Sequence, residues 1–199
     1  GYAAGYAITS GYQNTLVGAD SGANITTGLY NNGLGYGTIS QLTTGGHNVA
    51  IGYVALDAIT TGGRNVGIGS YALTNLTHSG DAYNTAVGYE AGGGVTTGIQ
   101  NTLIGGLAGD VITTGSYNVA LGVGSLGANT VGSRSVAIGT NALFYQNPAS
   151  AADMDNVAIG YHAGFAMTTA SNNTAVGYNA SRSITTGGDN ASFGHRALE

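Results

Sequence analysis

Asn84-Thr85-Ala86-Val87-Gly88-Tyr89-Glu90-Ala91-Gly92, followed after a short gap by Val95-Thr96-Thr97-Gly98, is the stretch on which the fold turns. Its glycine, Gly88, belongs to a series: Gly1, Gly18, Gly35, Gly52, Gly69, Gly88, Gly105, Gly122, Gly139, Gly160, Gly177 and Gly194. Nine of the eleven intervals are 17 residues; the others are 19, from Gly69 to Gly88, and 21, from Gly139 to Gly160. A fixed period with drift confined to two insertions is the signature of a repeat architecture.

Each copy has the same internal pattern. The residue before the central Gly is apolar in all eleven complete copies, and Val or Thr stands two residues earlier in nine of them. Between these lies a mostly small residue, as at Ala50, Ala86 and Ala120, with Leu16 and Leu103 as exceptions. Such alternation predicts a short strand with a β-branched face and a small-residue face. The β-branched face is expected to point into the coil, so that Val49 and Ile51 share the interior with Ile59, and the small row to face outward as a smooth, nearly uncharged strip suited to close contact between subunits. Seven residues after the central Gly comes a second apolar position, as at Ile25, Leu42, Ile59 and Ile112, followed by Thr-Thr-Gly. This predicts a second short strand ended by a turn.

Two strands and two turns in 17 residues leave no room for a helix, and one coil cannot bury its few apolar side chains alone. Stacking in register solves both problems. The expected fold is therefore all-β: a parallel β-solenoid, or β-roll, of about twelve 17-residue coils filling residues 1–199 as one repeat domain. The chain opens inside a repeat at Gly1-Tyr2, which reads as a segment of a longer fibre. Asn begins the strand motif in ten of eleven copies, with Ser135 as the substitute. Stacked asparagines can form an amide ladder as in other cross-β arrays; alternatively they serve only as turn formers.

Composition narrows the function classes. With 37 Gly, one Pro, no Cys, no Trp, 7% charged residues and a net charge of -5, the chain is neither collagen-like nor disordered. Four scattered Arg and no Lys give no footprint for nucleic acid. No apolar run approaches membrane-spanning length, so membrane insertion by this segment is not expected.

The chemistry-bearing residues look dispersed. His47, His78, His162 and His195 occupy four different repeat positions, there is no His-x-His pair, and the nine acids are spread along the chain. No zinc or transition-metal site, cofactor or catalytic triad is expected, and the chain reads as a non-enzyme. Asp153-Met154-Asp155-Asn156 could offer oxygens to calcium, but a solvated loop explains it as well. Tyr after the central Gly, as at Tyr36, Tyr53, Tyr89, Tyr161 and Tyr178, either stacks on sugars or covers a corner of the core.

Asn48-Val49-Ala50-Ile51-Gly52, Asn156-Val157-Ala158-Ile159-Gly160 and especially Ser135-Val136-Ala137-Ile138-Gly139 resemble the head repeats of YadA-like trimeric autotransporter adhesins. The longer form at Asn84–Gly92 is similar to repeats in phage tail fibres and long bacterial surface proteins. The resemblance covers the whole chain. It implies a left-handed roll and a homotrimer at a cell or virion surface, although the coils here are somewhat longer than those of the adhesins. The expected function is a structural and recognition segment of a trimeric extracellular fibre, with a cell-surface glycan or protein as receptor. The alternative is a secreted ice-binding solenoid, because Thr rows can present a hydroxyl-methyl face. Adjacent Thr residues point to opposite sides, however, which leaves one exposed row rather than two.

Recognition residues are expected in the insertions, because regular coils are constrained by stacking while extra residues must emerge. The two stretches, residues 78–83 and 144–155, supply His78, Asp81 and Tyr83 in the first, and Tyr145, Gln146, Asp153 and Asp155 in the second. The plain alternative is that both insertions decorate a spacer rod.

Overall fold

The computed structural model describes all 199 residues, Gly1–Glu199. It contains no helix. The strands are β1 (Thr15–Val17), β2 (Asn32–Leu34), β3 (Val49–Ile51), β4 (Val66–Ile68), β5 (Thr85–Val87), β6 (Thr102–Ile104), β7 (Val119–Leu121), β8 (Gly132–Ser133), β9 (Val136–Ile138), β10 (Ala152–Asp153), β11 (Val157–Ile159), β12 (Thr174–Val176) and β13 (Ala191–Phe193). All except β8 and β10 join one eleven-stranded parallel sheet in chain order, and β8 pairs with β10. Register follows the repeat, as in Val49↔Val66, Ala50↔Gly67 and Ile51↔Ile68. Each strand donates to both neighbours: Val49 N–H meets the Asn65 carbonyl at 2.8 Å, and Gly52 N–H meets that of Leu34 at 2.9 Å. At about 4.8 Å per step the sheet is a rod segment roughly 50 Å long. The parallel in-register solenoid expected from the repeat is the observed fold.

The faces of the strand are the reverse of the expectation. Ala50, Ala86, Ala120, Ala137, Ala158 and Ala175 are wholly buried, whereas Val49 and Ile51 lie on the outer face and are partly exposed. Ile59 points inward as expected. The cause is volume. Each coil sends in a residue seven positions after the central Gly and, in many coils, a large one four positions after it, such as Ile59 and Leu56. The strand centre opposite them must then be small: a Cβ on Gly67 would lie 3.2 Å from Leu56 Cγ. Where the strand centre is large, the opposite residues shrink. A Cβ on Gly92 or Gly109 would stand 2.7 or 2.9 Å from the methyls of Leu103, and one on Gly22 2.8 Å from a Leu16 methyl. The two exceptions in the small row are therefore compensated, as close packing requires.

The second strand is also absent; the Thr-Thr-Gly segment is a turn. The N–H groups of Thr26, Thr27 and Gly28 converge on the Thr43 carbonyl at 2.9, 3.3 and 3.2 Å. Three consecutive donors can share one acceptor only if the backbone curls, because an extended strand points them alternately to opposite sides. The corners use a conformation that the sequence does not announce. Twenty-eight non-glycine residues have positive φ. They fall at three places in the coil, represented by Val54, Leu56 and Arg64. Each costs on the order of 1–2 kcal/mol for an L-residue. The stack holds them through coil-to-coil bonds such as Val54 N–H to Tyr36 (2.9 Å) and Leu56 N–H to Ala72 (3.0 Å).

The asparagines form the amide ladder. Asn48 Nδ2 donates to Asn31 Oδ1 at 3.1 Å and to the Gly62 carbonyl at 3.0 Å, and the same Asn31 Oδ1 accepts Asn48 N–H at 3.1 Å. Across the two-residue insertion only the backbone rung persists, with Asn84 N–H on Asn65 Oδ1 at 3.1 Å, while Asn84 Nδ2 turns to the Gly98 carbonyl at 2.9 Å. It is interrupted at Ser135, whose side chain is shorter by an amide group. There Gln146 fills the gap: its Nε2 donates to Ser135 Oγ at 3.0 Å, and its Oε1 accepts Asn156 Nδ2 at 2.9 Å. Asn156, Asn173 and Asn190 then continue the ladder.

Candidate functional site

The two insertions occupy one corner of the rod, between the Thr turn and the ladder Asn, and both are secured in the same way. Gly63 forms a parallel bridge with Asp81, and Ser133 pairs with Asp153 in the two-stranded β8–β10 sheet. Arg64 Nε reaches Asp81 Oδ2 at 2.6 Å, and Arg134 Nη1 reaches Asp153 Oδ2 at 3.0 Å. Ala82 and Met154 turn inward and are buried. The insertions are thus extensions of the stack rather than free loops.

Of the residues expected to recognise a ligand, Asp81, Tyr83, Tyr145, Asp153 and Asp155 are exposed and His78 is partly buried. Gln146 is a correction: it is fully buried, its amide is committed to the ladder, and it offers nothing to a ligand. Its position explains why, because it lies seven residues after Gly139 in a column that is apolar in nine of the other ten coils, with Asn129 as the exception. The remaining six stay in two separate groups, four coils or about 19 Å apart. Tyr83 lies under the Arg64 guanidinium at 5.8 Å. Tyr145 packs edge-on against Phe144 and Phe165, with centroids at 4.9 and 5.0 Å.

Both Arg–Asp pairs are about half exposed, so each contributes little in water. Arg64→Ala is expected to leave the denaturation midpoint nearly unchanged. Urea denaturation of the variant beside the parent measures this directly.

The acids that looked dispersed are sorted by the stack. In register, Asp20 and Glu90 stand two residues after a central Gly, and Asp57 and Asp110 five after. This corner carries two clefts. Asp20, Asn24, Tyr36, Ser40 and Asp57 line the first, of about 330 Å³. Tyr71, Thr74, Asn75, Glu90 and Asp110 line the second, of about 250 Å³, which opens over Gly93 and Gly94. Asn75 Nδ2 donates to the Gly93 carbonyl at 2.7 Å, and Ser40 Oγ donates to Asp57 Oδ1. Burial, and then the charge of Glu90, raise the Asp110 carboxyl above the usual carboxylate range.

Tyrosines connect the clefts. Tyr36 and Tyr53 stack with centroids 5.4 Å apart and planes 11° apart, and Tyr71 meets Tyr53 edge-on at 5.4 Å. Tyr89 continues the run edge-on to Tyr71 at 6.2 Å. These rings are exposed and stack on one another rather than covering the core. No group of three His, Cys, Asp or Glu side chains could hold a metal ion. At the Thr turns the first hydroxyl is taken by the next coil, as in Thr43 Oγ1 to the Thr60 carbonyl (3.0 Å), while Thr44 and its equivalents are exposed.

Compared with protein-family models, with curated proteins and with solved structures, the chain finds no match.

Proposed function

We propose that this chain is a rod and recognition segment of a homotrimeric extracellular fibre, carried on a cell or virion surface, and that it binds rather than catalyses. The observation that carries the reading is the outer face of the sheet. Eleven strands display two parallel rows of mostly Val, Thr, Ile and Leu along the whole rod, with Val17 52%, Leu34 49% and Leu121 42% exposed. A strip ~50 Å long and ~10 Å wide presents roughly 500 Å² of largely uncharged surface, at the upper end of what a monomer leaves in water. The expectation that subunits meet through the small-residue row is replaced: that row is inside, and the β-branched rows are the ones available for contact. The repeat resemblance supports three subunits, and a closed cyclic arrangement suits identical rods lying side by side.

Light scattering is expected to give three times the chain mass of 19.6 kDa. Ile51→Asp combined with Leu121→Asp should convert the assembly to monomers while β circular dichroism persists, because both side chains lie on the outer face. A parent protein that is a monodisperse monomer would remove the fibre reading. Thermal hysteresis in the same preparation, expected to be absent, would support the ice-binding alternative instead.

A further inference from the structure

Nine carboxylates are divided sharply by environment. Asp81, Asp153 and Glu199 are exposed and paired with Arg, and Asp155 and Asp189 are exposed. The other four, Asp20, Asp57, Glu90 and Asp110, are the only partly buried acids in the chain, and all four line the two clefts. No cation offsets them: Arg64, Arg134 and Arg196 are engaged elsewhere, and Arg182 lies over the Phe165 ring at 5.6 Å.

The two clefts repeat one inventory: a tyrosine, an asparagine, a hydroxyl residue and two acids. They share a corner of the rod, three coils or about 14 Å apart. Tyr53 spans the interval, touching Tyr36 of one cleft and Tyr71 of the other. In the second cleft, Gly93-Gly94 is the one place in the chain where the fifth and sixth positions of a coil are both glycine, and the missing side chains open the notch.

The geometry points to a binding track for a linear, uncharged oligosaccharide lying along this corner, with a sugar unit in each cleft and the chain between them resting on Tyr53. Carboxylate acceptors, amide groups that both donate and accept, and hydroxyls suit the vicinal hydroxyls of a sugar, each of which also donates and accepts. Exposed tyrosine supplies apolar area with a polar tip at low cost in conformational freedom. Uncompensated carboxylates repel sialylated or sulfated glycans, so the track selects against acidic sugars. A shared calcium ion fits poorly: neither cleft gathers three ligating acid or His side chains, and in the first Asp20 and Asp57 sit on coils two steps apart, about 10 Å, while calcium takes six to eight oxygens at about 2.3–2.6 Å.

The inference rests on the reading of this rod as a recognition element and is independent of its trimeric state. The test is calorimetric titration of the full chain, in its assembled form, with maltotetraose, cellotetraose, chitotetraose, a sialylated tetrasaccharide and tetralysine. At least one uncharged tetrasaccharide is expected to bind, and the sialylated one not to. Glu90→Gln with Asp57→Asn should weaken binding at least tenfold. Tyr53→Ala should weaken the tetrasaccharide more than the matching disaccharide, because only the longer ligand crosses it. Tyr117→Ala, an exposed tyrosine outside the track, should change nothing. Circular dichroism checks that each variant retains the sheet. Binding of tetralysine alone, no binding of any uncharged glycan, or equal binding by parent and both track variants would overturn the proposal. The subunit count from light scattering is a separate measurement, so the fibre reading stands or falls by itself.

Discussion

Gly105→Ala is expected to be among the most damaging single substitutions in the chain, whereas Gly106→Ala, one residue later, should be close to neutral. At Gly105 the backbone has φ +132, and an added Cβ would sit 2.7 Å from both the carbon and the oxygen of the Gly122 carbonyl. Those atoms belong to the next coil's backbone and cannot yield without displacing the hydrogen bonds of that rung. Overpacking of this kind costs ~1–3 kcal/mol, and the forced φ adds on the order of 1–3 kcal/mol. A Cβ on Gly106 meets nothing within 4 Å. Urea denaturation of the two variants compares them directly. Hydrogen exchange should place the lost protection at the coils flanking Gly105, because each coil contacts only its neighbours. Equal stability of the two variants would contradict the stacking geometry at the central glycine.

The second large effect concerns the repaired ladder. Gln146→Leu restores the apolar residue usual at its position but leaves Ser135 Oγ unpaired and Asn156 Nδ2 with only its bond to the Ala170 carbonyl. Each buried polar group left unsatisfied costs about 1–3 kcal/mol. Ser135→Asn alone should also destabilise, because the longer amide enters space filled by Gln146. The double substitution recreates the Asn-plus-apolar arrangement of most other coils and should recover much of the loss. A non-additivity of roughly 0.5–3 kcal/mol is expected in a double-mutant cycle read by denaturation. Additive losses would show that the two sites do not share one network.

The repair shows why part of the candidate site was hidden in the sequence. Gln146 lies beside an insertion and reads as a surface amide; only its place in the column of Ile25, Leu42 and Ile112 marks it as interior. The acid clefts were hidden for a related reason. Asp20, Asp57, Glu90 and Asp110 are 37, 33 and 20 residues apart in order along the chain, but coil positions two and five lie on the same corner. In the register of the stack each pair shares one coil position.

The sequence by itself determined the coil and its stacking. A 17-residue spacing cannot accommodate a helix, a lone coil cannot bury its apolar residues, and Asn in the same place ten times over can be satisfied by its own copies. It did not decide which face of the strand lies inside. Alternation defines two faces but carries no sign, and the common rule that puts β-branched residues in the core assumes an interior wide enough for them. Here Leu56 and Ile59 already fill the coil, so that even a Cβ at the strand-centre Gly67 would lie 3.2 Å from Leu56 Cγ, and Val49 and Ile51 turn outward. The left-handed corners at Val54 and Leu56 were equally invisible, because side chains of that kind disfavour positive φ by themselves. They adopt it because the next coil supplies the hydrogen bonds that hold it, and those exist only once the rod is assembled.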